Sequence, residues 1–155
     1  MDFNGKPGWQ TNRGVAVLEL AFTLIFLLLL TIGITEFGRG FWYYTALQTA
    51  VRNSARCLSS LEWKSTGVDT SGCEALVTNA AISAGIPGGG SIEPTLTCTG
   101  TTCDWGNWGN GAAPEYVTVQ VNYNMRWLWA IPGGSPQPGE TAGLQMATTM
   151  PYMAD

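Results

Sequence analysis

Hydrophobic positions divide the chain into a very apolar N-terminal third and a polar remainder rich in glycine, threonine and asparagine. From Val15 to Thr35 every residue is apolar or small except Glu19. A helix of this length spans about 31 Å, the thickness of a bilayer's hydrocarbon core. The pattern therefore predicts a membrane-spanning helix with an acid near its start. Such an acid costs roughly 2 to 3 kcal/mol in insertion free energy, and intramembrane acids usually mark a function and a partner.

After the predicted span, the apolar pattern continues as one face of an amphipathic helix. Seven residues on this face recur at spacings of three and four: Phe41, Tyr44, Leu47, Val51, Ala55, Leu58 and Leu61. Polar side chains, including Arg52 and Arg56, fall on the opposite side. We predict that the helix continues to residue 62 and packs its apolar face against the chain's own C-terminal domain. The alternative is a free surface for a partner, and the two can hold along different halves of the helix.

The C-terminal part of the chain predicts a second, short helix and several strands. Residues 73–84 read as a helix, and the glycine-rich segment that follows is a strong breaker. Residues 91–98 predict a strand that its proline confines to a sheet edge. The odd positions of residues 117–131 are apolar, which predicts a half-buried strand, and residues 144–150 predict a last one. The predicted fold class is α+β, a long N-terminal transmembrane and amphipathic helix backed by a small, mostly antiparallel β-sheet.

The start of the apolar segment resembles the processing site of type IV pilin-like precursors. Gly14 precedes Val15, and Glu19 stands at the fifth position after the glycine, behind a short basic leader. The resemblance implies that a prepilin peptidase cuts after Gly14 and that the mature chain begins at Val15. It also implies that Glu19 neutralises the α-amino group of a neighbouring subunit, because pairing offsets much of the cost of burying the two charges.

Residues that follow the apolar segment restrict the resemblance to a single family of pilin-like proteins. Residues 36–39 read EFGR, residues 41–44 are the aromatic run FWYY, and residues 46–56 read ALQTAVRNSAR. Residues 116–123, YVTVQVNY, resemble an alternating strand near the end of the same family. Together these motifs resemble the TadE-like minor pseudopilins of tight-adherence (Tad/Flp) pilus systems. The similarity is tight over residues 13–58 and looser beyond them.

The resemblance implies a domain organisation and a function. Residues 1–14 would be a cleaved cytoplasmic leader, residues 15–62 the transmembrane and amphipathic helix, and residues 63–155 an extracytoplasmic α+β domain. The implied function is assembly, priming or tip formation of a Tad/Flp-type pilus. The implied partners are the prepilin peptidase, other minor pseudopilins and pilin subunits, and the inner-membrane pilus platform. The alternative is a single-pass anchored periplasmic binding or scaffold protein without a filament role, which retention of residues 1–14 would favour.

The charged residues provide evidence on two questions, the class of binding partner and the orientation of the chain in the membrane. The chain has 7 basic and 11 acidic residues, and removal of residues 1–14 leaves five basic and ten acidic ones. This acidic balance argues against nucleic acid as a partner, because phosphate binding needs clustered lysine and arginine. Lys6 and Arg13 lie before the span, so the positive-inside tendency places the N-terminus in the cytoplasm and the C-terminal domain outside. Arginines beyond the span weaken that signal, so the bacterial inner-membrane topology rests partly on the resemblance.

An ordinary secretory signal peptide is the competing interpretation of the N-terminal third. Its apolar core would be about 7 to 15 residues long and free of acids. The run here is longer and contains Glu19, although residues 38–40 would serve as a poor cleavage site. The sequence therefore favours a retained helix over a cleaved signal.

The four cysteines, Cys57, Cys73, Cys98 and Cys103, all lie beyond the apolar span. Four cysteines permit three pairings. The short separation of Cys98 and Cys103 favours that pair, with Cys57 and Cys73 as the other. Disulfides suit a small extracytoplasmic domain, whereas a zinc site is disfavoured because the chain has no histidine and no C-x-x-C motif.

Catalytic chemistry finds little support in the sequence. The absence of histidine removes the usual general base, and no phosphate-binding loop or nucleophile motif is present. The glycines at 88–90 predict a flexible turn. We therefore expect no enzymatic activity, no catalytic residue, no cofactor and no metal site.

A repeat of Trp-Gly-Asn in residues 104–110 leaves two questions open. Oxygen side chains stand at every third position, which makes a calcium loop conceivable, but Asp104 is the one carboxylate among them. Trp105 and Trp108 either cover the small sheet or form an exposed aromatic patch for adhesion or subunit contact.

Overall fold

The computed structural model describes residues 11–63, 68–106, 108–109, 112–126 and 141–153, with residues 11–13 as backbone. The elements in chain order are α1 (Thr11–Ser59), α2 (Ser71–Ser83), a 3₁₀ turn (Gly89–Ser91), β1 (Thr95–Cys98), β2 (Tyr116–Arg126) and β3 (Thr141–Pro151). A long helix with a small antiparallel sheet confirms the predicted α+β class. Most of the predicted leader and residues 127–140, including the end of one predicted strand, lie outside the described residues.

The chain forms two compact units, Met1–Phe37 and Gly38–Asp155, and α1 contributes to both. In the first unit the large apolar side chains of α1 are exposed along the whole predicted span. The most apolar window of the helix has a mean hydropathy of 2.7, and none of it is buried by the described chain. Among the described residues, α1 is the one helix long and apolar enough to cross a bilayer, which is compatible with a single-pass membrane anchor.

In the second unit α2 begins at Ser71, slightly before its predicted start. The Asp69 carboxylate accepts a 2.9 Å hydrogen bond from the Ser71 backbone N–H, and this bond lowers the pKa of Asp69. The helix ends where Gly85 takes a positive φ of 70°, a backbone conformation that side chains rarely adopt. The N–H of Ile86 then returns to the Ala81 carbonyl at 3.0 Å, so the chain turns sharply away from the helix.

The sheet has three antiparallel strands in the order β1-β2-β3, with β2 in the centre. β1 pairs with the first half of β2, from Thr95 opposite Gln120 to Cys98 opposite Val117. β3 pairs with all of β2 and is therefore longer than the predicted strand at 144–150. β1 is an edge strand, as predicted, but it begins only after Pro94, and residues 89–91 form the 3₁₀ turn instead of extending it.

One hydrophobic core joins the helices and the sheet of the second unit. The odd positions of β2 turn one face inward, and its buried members are Val117, Val119, Val121 and Met125. From α1 the same core takes Leu47, Val51, Ala55 and Leu58, and from α2 it takes Val77 and Ala81. The predicted packing of the amphipathic part of α1 against the chain's own domain is thus confirmed.

The aromatic run at the start of that amphipathic part departs from the prediction. Phe41 and Tyr44 were expected on the buried face, but their side chains are 62% and 42% exposed. Tyr43 is buried instead, with 7% exposure, and packs edge-on against Tyr123 at a ring-centroid distance of 6.2 Å. Four consecutive aromatics carry no helical periodicity, so only packing against the sheet selects which ring turns inward.

Candidate functional site

The predicted processing residue lies inside a regular helix. α1 begins at Thr11, so Gly14 and Val15 both occupy its first turns. No atom of the described residues lies within 4 Å of the position that a Cβ would take at Gly14. A glycine inside a helix costs about 1 kcal/mol relative to alanine, and the described chain gains no close contact from it. Packing among the described residues therefore supplies no reason for glycine at residue 14.

Glu19 is exposed one helical turn after Val15, on the same side of α1. The axial separation of the two residues is about 6 Å. Its neighbours on the helix surface include Val15 and Phe22, which are apolar and also exposed. Within the described residues the Glu19 carboxylate has no hydrogen-bond or ion-pair partner, so it is an isolated acid on an apolar helix surface.

The other polar side chains of the predicted span are internally satisfied. The hydroxyl groups of Thr23, Thr31 and Thr35 each donate a 2.8 Å hydrogen bond to the carbonyl four residues earlier. These bonds let threonine sit in an apolar medium without an unpaired donor. Glu19 stands apart from this pattern, because its own helix offers its side chain no such partner.

The second unit contains two disulfides. Cys57 bonds to Cys73 with a Cα–Cα distance of 5.6 Å, which joins the end of α1 to the first turn of α2. Cys98 bonds to Cys103 with a Cα–Cα distance of 5.9 Å, which closes the chain just after β1. Both distances are in the usual range for disulfides, and oxidised cysteines are typical of domains outside the cytoplasm.

The tryptophans of residues 104–110 do not form the exposed aromatic patch considered above. Trp108 is fully buried and packs edge-on against Trp63, with ring centroids 5.0 Å apart. Trp105 is half-buried, and its Nε1–H donates a 2.6 Å hydrogen bond to the Pro94 carbonyl. The two rings therefore pack against the domain's own core, as in the first of the two alternatives drawn from the sequence. Asn107 and Asn110 of the conceivable calcium loop lie outside the described residues.

Exposed aromatic and basic side chains lie instead along α1, on a surface that the sequence pattern did not predict to be a site. Phe41 and Trp42 are both 62% exposed, and Arg52 and Arg56 are exposed further along the helix. Arg39 is used structurally, because its guanidinium donates a 2.9 Å hydrogen bond to the Arg126 carbonyl. The signal that would have identified this surface is the spacing of residues 42, 45, 49, 52 and 56, which lie on one side of a helix.

Comparison with known proteins supports the resemblance drawn from the sequence. The family model described as TadE-like protein matches residues 14–56. The match begins at the candidate processing glycine, ends at Arg56 and lies entirely within α1. It confirms the recognition of TadE-like features in the chain and supports an involvement in the Tad pilus. No curated protein and no solved structure matches the chain.

Proposed function

We propose that this chain is a minor pseudopilin that acts in assembly, priming or tip formation of a Tad/Flp-type pilus after prepilin peptidase has removed residues 1–14. The observation that carries the proposal is Glu19, an isolated carboxylate in a span whose threonines are all hydrogen-bonded within the helix. Its position inside the TadE-like match adds the family context. The chain would act by binding and would catalyse no reaction of its own.

Glu19 acquires a natural partner once the leader is removed. Cleavage after Gly14 would convert the backbone nitrogen of Val15 into a charged α-amine at the end of α1. In a pair of parallel helices shifted by about one turn, roughly 6 Å, the Glu19 of one subunit would face the Val15 amine of the next. The attraction between the two charges strengthens in the low dielectric of the membrane. A lone subunit would leave the acid unpaired, so the pairing would favour assembly over dispersion.

The surroundings of Gly14 agree with a role in recognition by another protein. Nothing in the described chain occupies the space beside Gly14, so no neighbouring side chain covers this side of the helix. A bare backbone suits a tight peptidase pocket, because no side chain is there to clash. Gly14 makes no close packing contact among the described residues, and we attribute its presence to recognition by the peptidase.

The disulfides support an orientation for the proposed subunit. We place the N-terminus in the cytoplasm, α1 in the bacterial inner membrane and the disulfide-bonded domain outside. Disulfides persist in oxidising compartments and are rare in the cytosol. The two bonds of the second unit therefore favour an extracytoplasmic domain that meets other pseudopilins and the pilus platform.

The decisive experiment is the intact mass of the protein extracted from the membranes of its native host. The expected mass corresponds to a chain that starts at Val15. Gly14→Leu should block trimming, because the side chain obstructs the peptidase. Gly33→Leu is the matched control, since Gly33 lies in the same helix with equally open surroundings, and it should leave trimming intact. Retention of residues 1–14 in the wild-type protein would contradict the proposal and favour the anchored scaffold.

A further inference from the structure

Within the second unit, α1 and α2 form an antiparallel pair that is fastened at both ends. At one end the Cys57–Cys73 disulfide joins the last turns of α1 to the first turn of α2. At the other end the Trp42 Nε1–H donates a 3.3 Å hydrogen bond to the Ala84 carbonyl, at the C-cap of α2. These two connections hold α2 alongside α1.

A surface groove of about 420 Å³ runs between these two helices. Apart from one aromatic ring, its lining residues are small: Trp42, Thr45, Ala46, Thr49, Ala80, Ser83 and Ala84. Small side chains allow another helix to approach the backbone closely. The small residues of the groove would therefore let a third helix approach α1 and α2 closely.

The hydroxyl groups of the groove are already satisfied inside their own helices. Thr45 donates to the Phe41 and Trp42 carbonyls at 3.0 Å, and Thr49 donates to the Thr45 carbonyl at 2.9 Å. Ser83 of α2 donates to the Asn79 carbonyl at 2.7 Å. None of these hydroxyls needs a new hydrogen-bond partner, so the groove presents methyl groups and behaves as an apolar surface.

The two ends of this surface differ in chemistry. At one end Trp42 is held by its hydrogen bond to Ala84 and still exposes 62% of its side chain. A rigid, exposed tryptophan is a common anchor of protein interfaces. Toward the other end, Arg52 and Arg56 continue the same side of α1, and within the described residues their guanidinium groups have no hydrogen-bond or ion-pair partner. From Trp42 to Arg56 the surface is about 21 Å long.

We propose that this groove binds a helix of a different subunit, whose apolar side chains pack beside Trp42 and whose acidic side chain meets Arg52 and Arg56. The proposal rests on the proposed function, because it names the surface through which the domain contacts its assembly partner. Complementary charge fixes the register of such a contact, and the tryptophan and small residues supply its buried area.

A second copy of this chain is a poor occupant of the groove. Between Gly38 and Ser59, α1 contains three arginines and no acidic residue. Two copies that met along this face would bring their arginines together, and like charges oppose association. α2 offers a single acid, Glu74, in its first turn. Glu74 aside, residues 38–59 and α2 of a second copy offer Arg52 and Arg56 no acid, so we expect the complementary acid from another chain.

The test is photo-crosslinking in the native host from full-length protein with p-benzoylphenylalanine at Thr49, which is exposed in the groove. The same probe at Thr97, exposed on β1, is the control position. The Thr49 probe should cross-link to a helical segment of a different pilus subunit that contains an acidic residue, identified by peptide mass spectrometry. The Thr97 probe should not capture that segment. A cross-link to lipid, a cross-link to a second copy, or no cross-link would overturn the proposal.

Charge reversal tests the recognition itself. The double variant Arg52→Glu/Arg56→Glu should lower the yield of the cross-link roughly tenfold, and Lys in place of the partner's mapped acid should restore it. Ser83→Trp, which fills the groove from α2 without a change of charge, should lower the same yield. Arg126→Glu, an exposed arginine on β2, is the control and should leave the yield unchanged. An unchanged yield in the double variant would also overturn the proposal.

These experiments distinguish a failure of the groove proposal from a failure of the proposed pilus function. Resistance of all four cysteines to alkylation verifies that both disulfides form in each variant, and cooperative urea unfolding verifies that the domain is folded. If the chain is trimmed to Val15 and needs Glu19 for piliation but the groove cross-link fails, the groove proposal is wrong and the function stands. If the cross-link forms on a chain that keeps residues 1–14, the pilus function is wrong and the groove belongs to a scaffold.

Discussion

The hydroxyl group of Ser54 in α1 donates a 2.8 Å hydrogen bond to the carbonyl oxygen of Cys73 in α2. Ser54 is completely buried, so this bond satisfies a donor that water cannot reach. It lies beside the disulfide between Cys73 and Cys57. A buried hydrogen bond and a covalent bond therefore hold the first turn of α2 against α1. Both bonds restrict the movement of the two helices that form the groove.

The two disulfides should differ in their contributions to stability. Cys57–Cys73 closes a separation of 16 residues and Cys98–Cys103 one of 5. Because the stabilisation grows with loop length, Cys57→Ala/Cys73→Ala should cost about 3 kcal/mol in the free energy of unfolding, and Cys98→Ala/Cys103→Ala about 2 kcal/mol. Urea unfolding of the full-length protein in detergent, followed by tryptophan fluorescence, measures both. A larger loss for the second pair would contradict this ranking.

Alanine substitutions at Gly89 and Gly90, in the turn after α2, should differ in their effects on stability. A Cβ at Gly89 would lie 2.9 Å from the backbone carbon of Ala81, whereas one at Gly90 would meet only the end of the Ile82 side chain at 3.8 Å. Gly89→Ala should therefore destabilise the domain by about 1 to 3 kcal/mol, because backbone atoms must move. Gly90→Ala should stay within about 0.5 kcal/mol of the wild type. Thermal unfolding of the two variants provides the comparison, and equal melting temperatures would show that the close approach at Gly89 is not required.

Glu19 should matter for assembly and not for insertion. Glu19→Ala removes an acid that costs roughly 2 to 3 kcal/mol in the membrane, so the variant should insert and be trimmed normally. Piliation and co-purification with other pilus subunits should fall at least about tenfold, the effect of losing roughly 1.4 kcal/mol of pairing. Thr23→Ala is the control, because the Thr23 hydroxyl is satisfied within its own helix. Normal piliation at wild-type levels of Glu19→Ala would remove the reason to treat this acid as functional.

Alkaline pH should weaken the domain through Tyr152. Burial raises the pKa of Tyr152 above its ordinary value of 10.0, and the negative charge of Glu62 raises it further, while a backbone hydrogen bond at Trp63 lowers it. Folding favours the protonated ring, so this contribution is complete below about pH 10 and is lost as the pH rises through the higher pKa of the folded state.

The variant Tyr152→Phe isolates that effect. The Tyr152 hydroxyl donates a 2.7 Å hydrogen bond to the Leu61 carbonyl, so its removal should cost about 1 kcal/mol at pH 8. Between pH 8 and pH 11 the variant should lose less stability than the wild type, because one ionisation that opposes folding is gone. Urea unfolding across this pH range gives the two slopes, and identical slopes would rule out a contribution from Tyr152.

Elements with a strong local pattern were predictable from the sequence. Alternation along residues 117–125 predicted the inward face of β2, and its valines are fully buried. Such prediction works because successive strand side chains point to opposite faces, whatever surrounds the strand. β3 was predicted too short, since its length depends on pairing with the whole of β2 and not on its own residues.

The sequence by itself determined the apolar span, the lone acid Glu19 within it and the TadE-like motifs of α1, because each is a property of neighbouring residues along one helix. Only the tertiary structure decided that Tyr43 is buried while Trp42 stays exposed, and that Trp108 closes the core. An aromatic ring is stabilised by burial against its own chain and equally by burial against another molecule. Which ring is buried within this domain therefore depends on which elements pack against it. The groove between α1 and α2 likewise exists only after a disulfide and a hydrogen bond bring together helices that are separate in sequence.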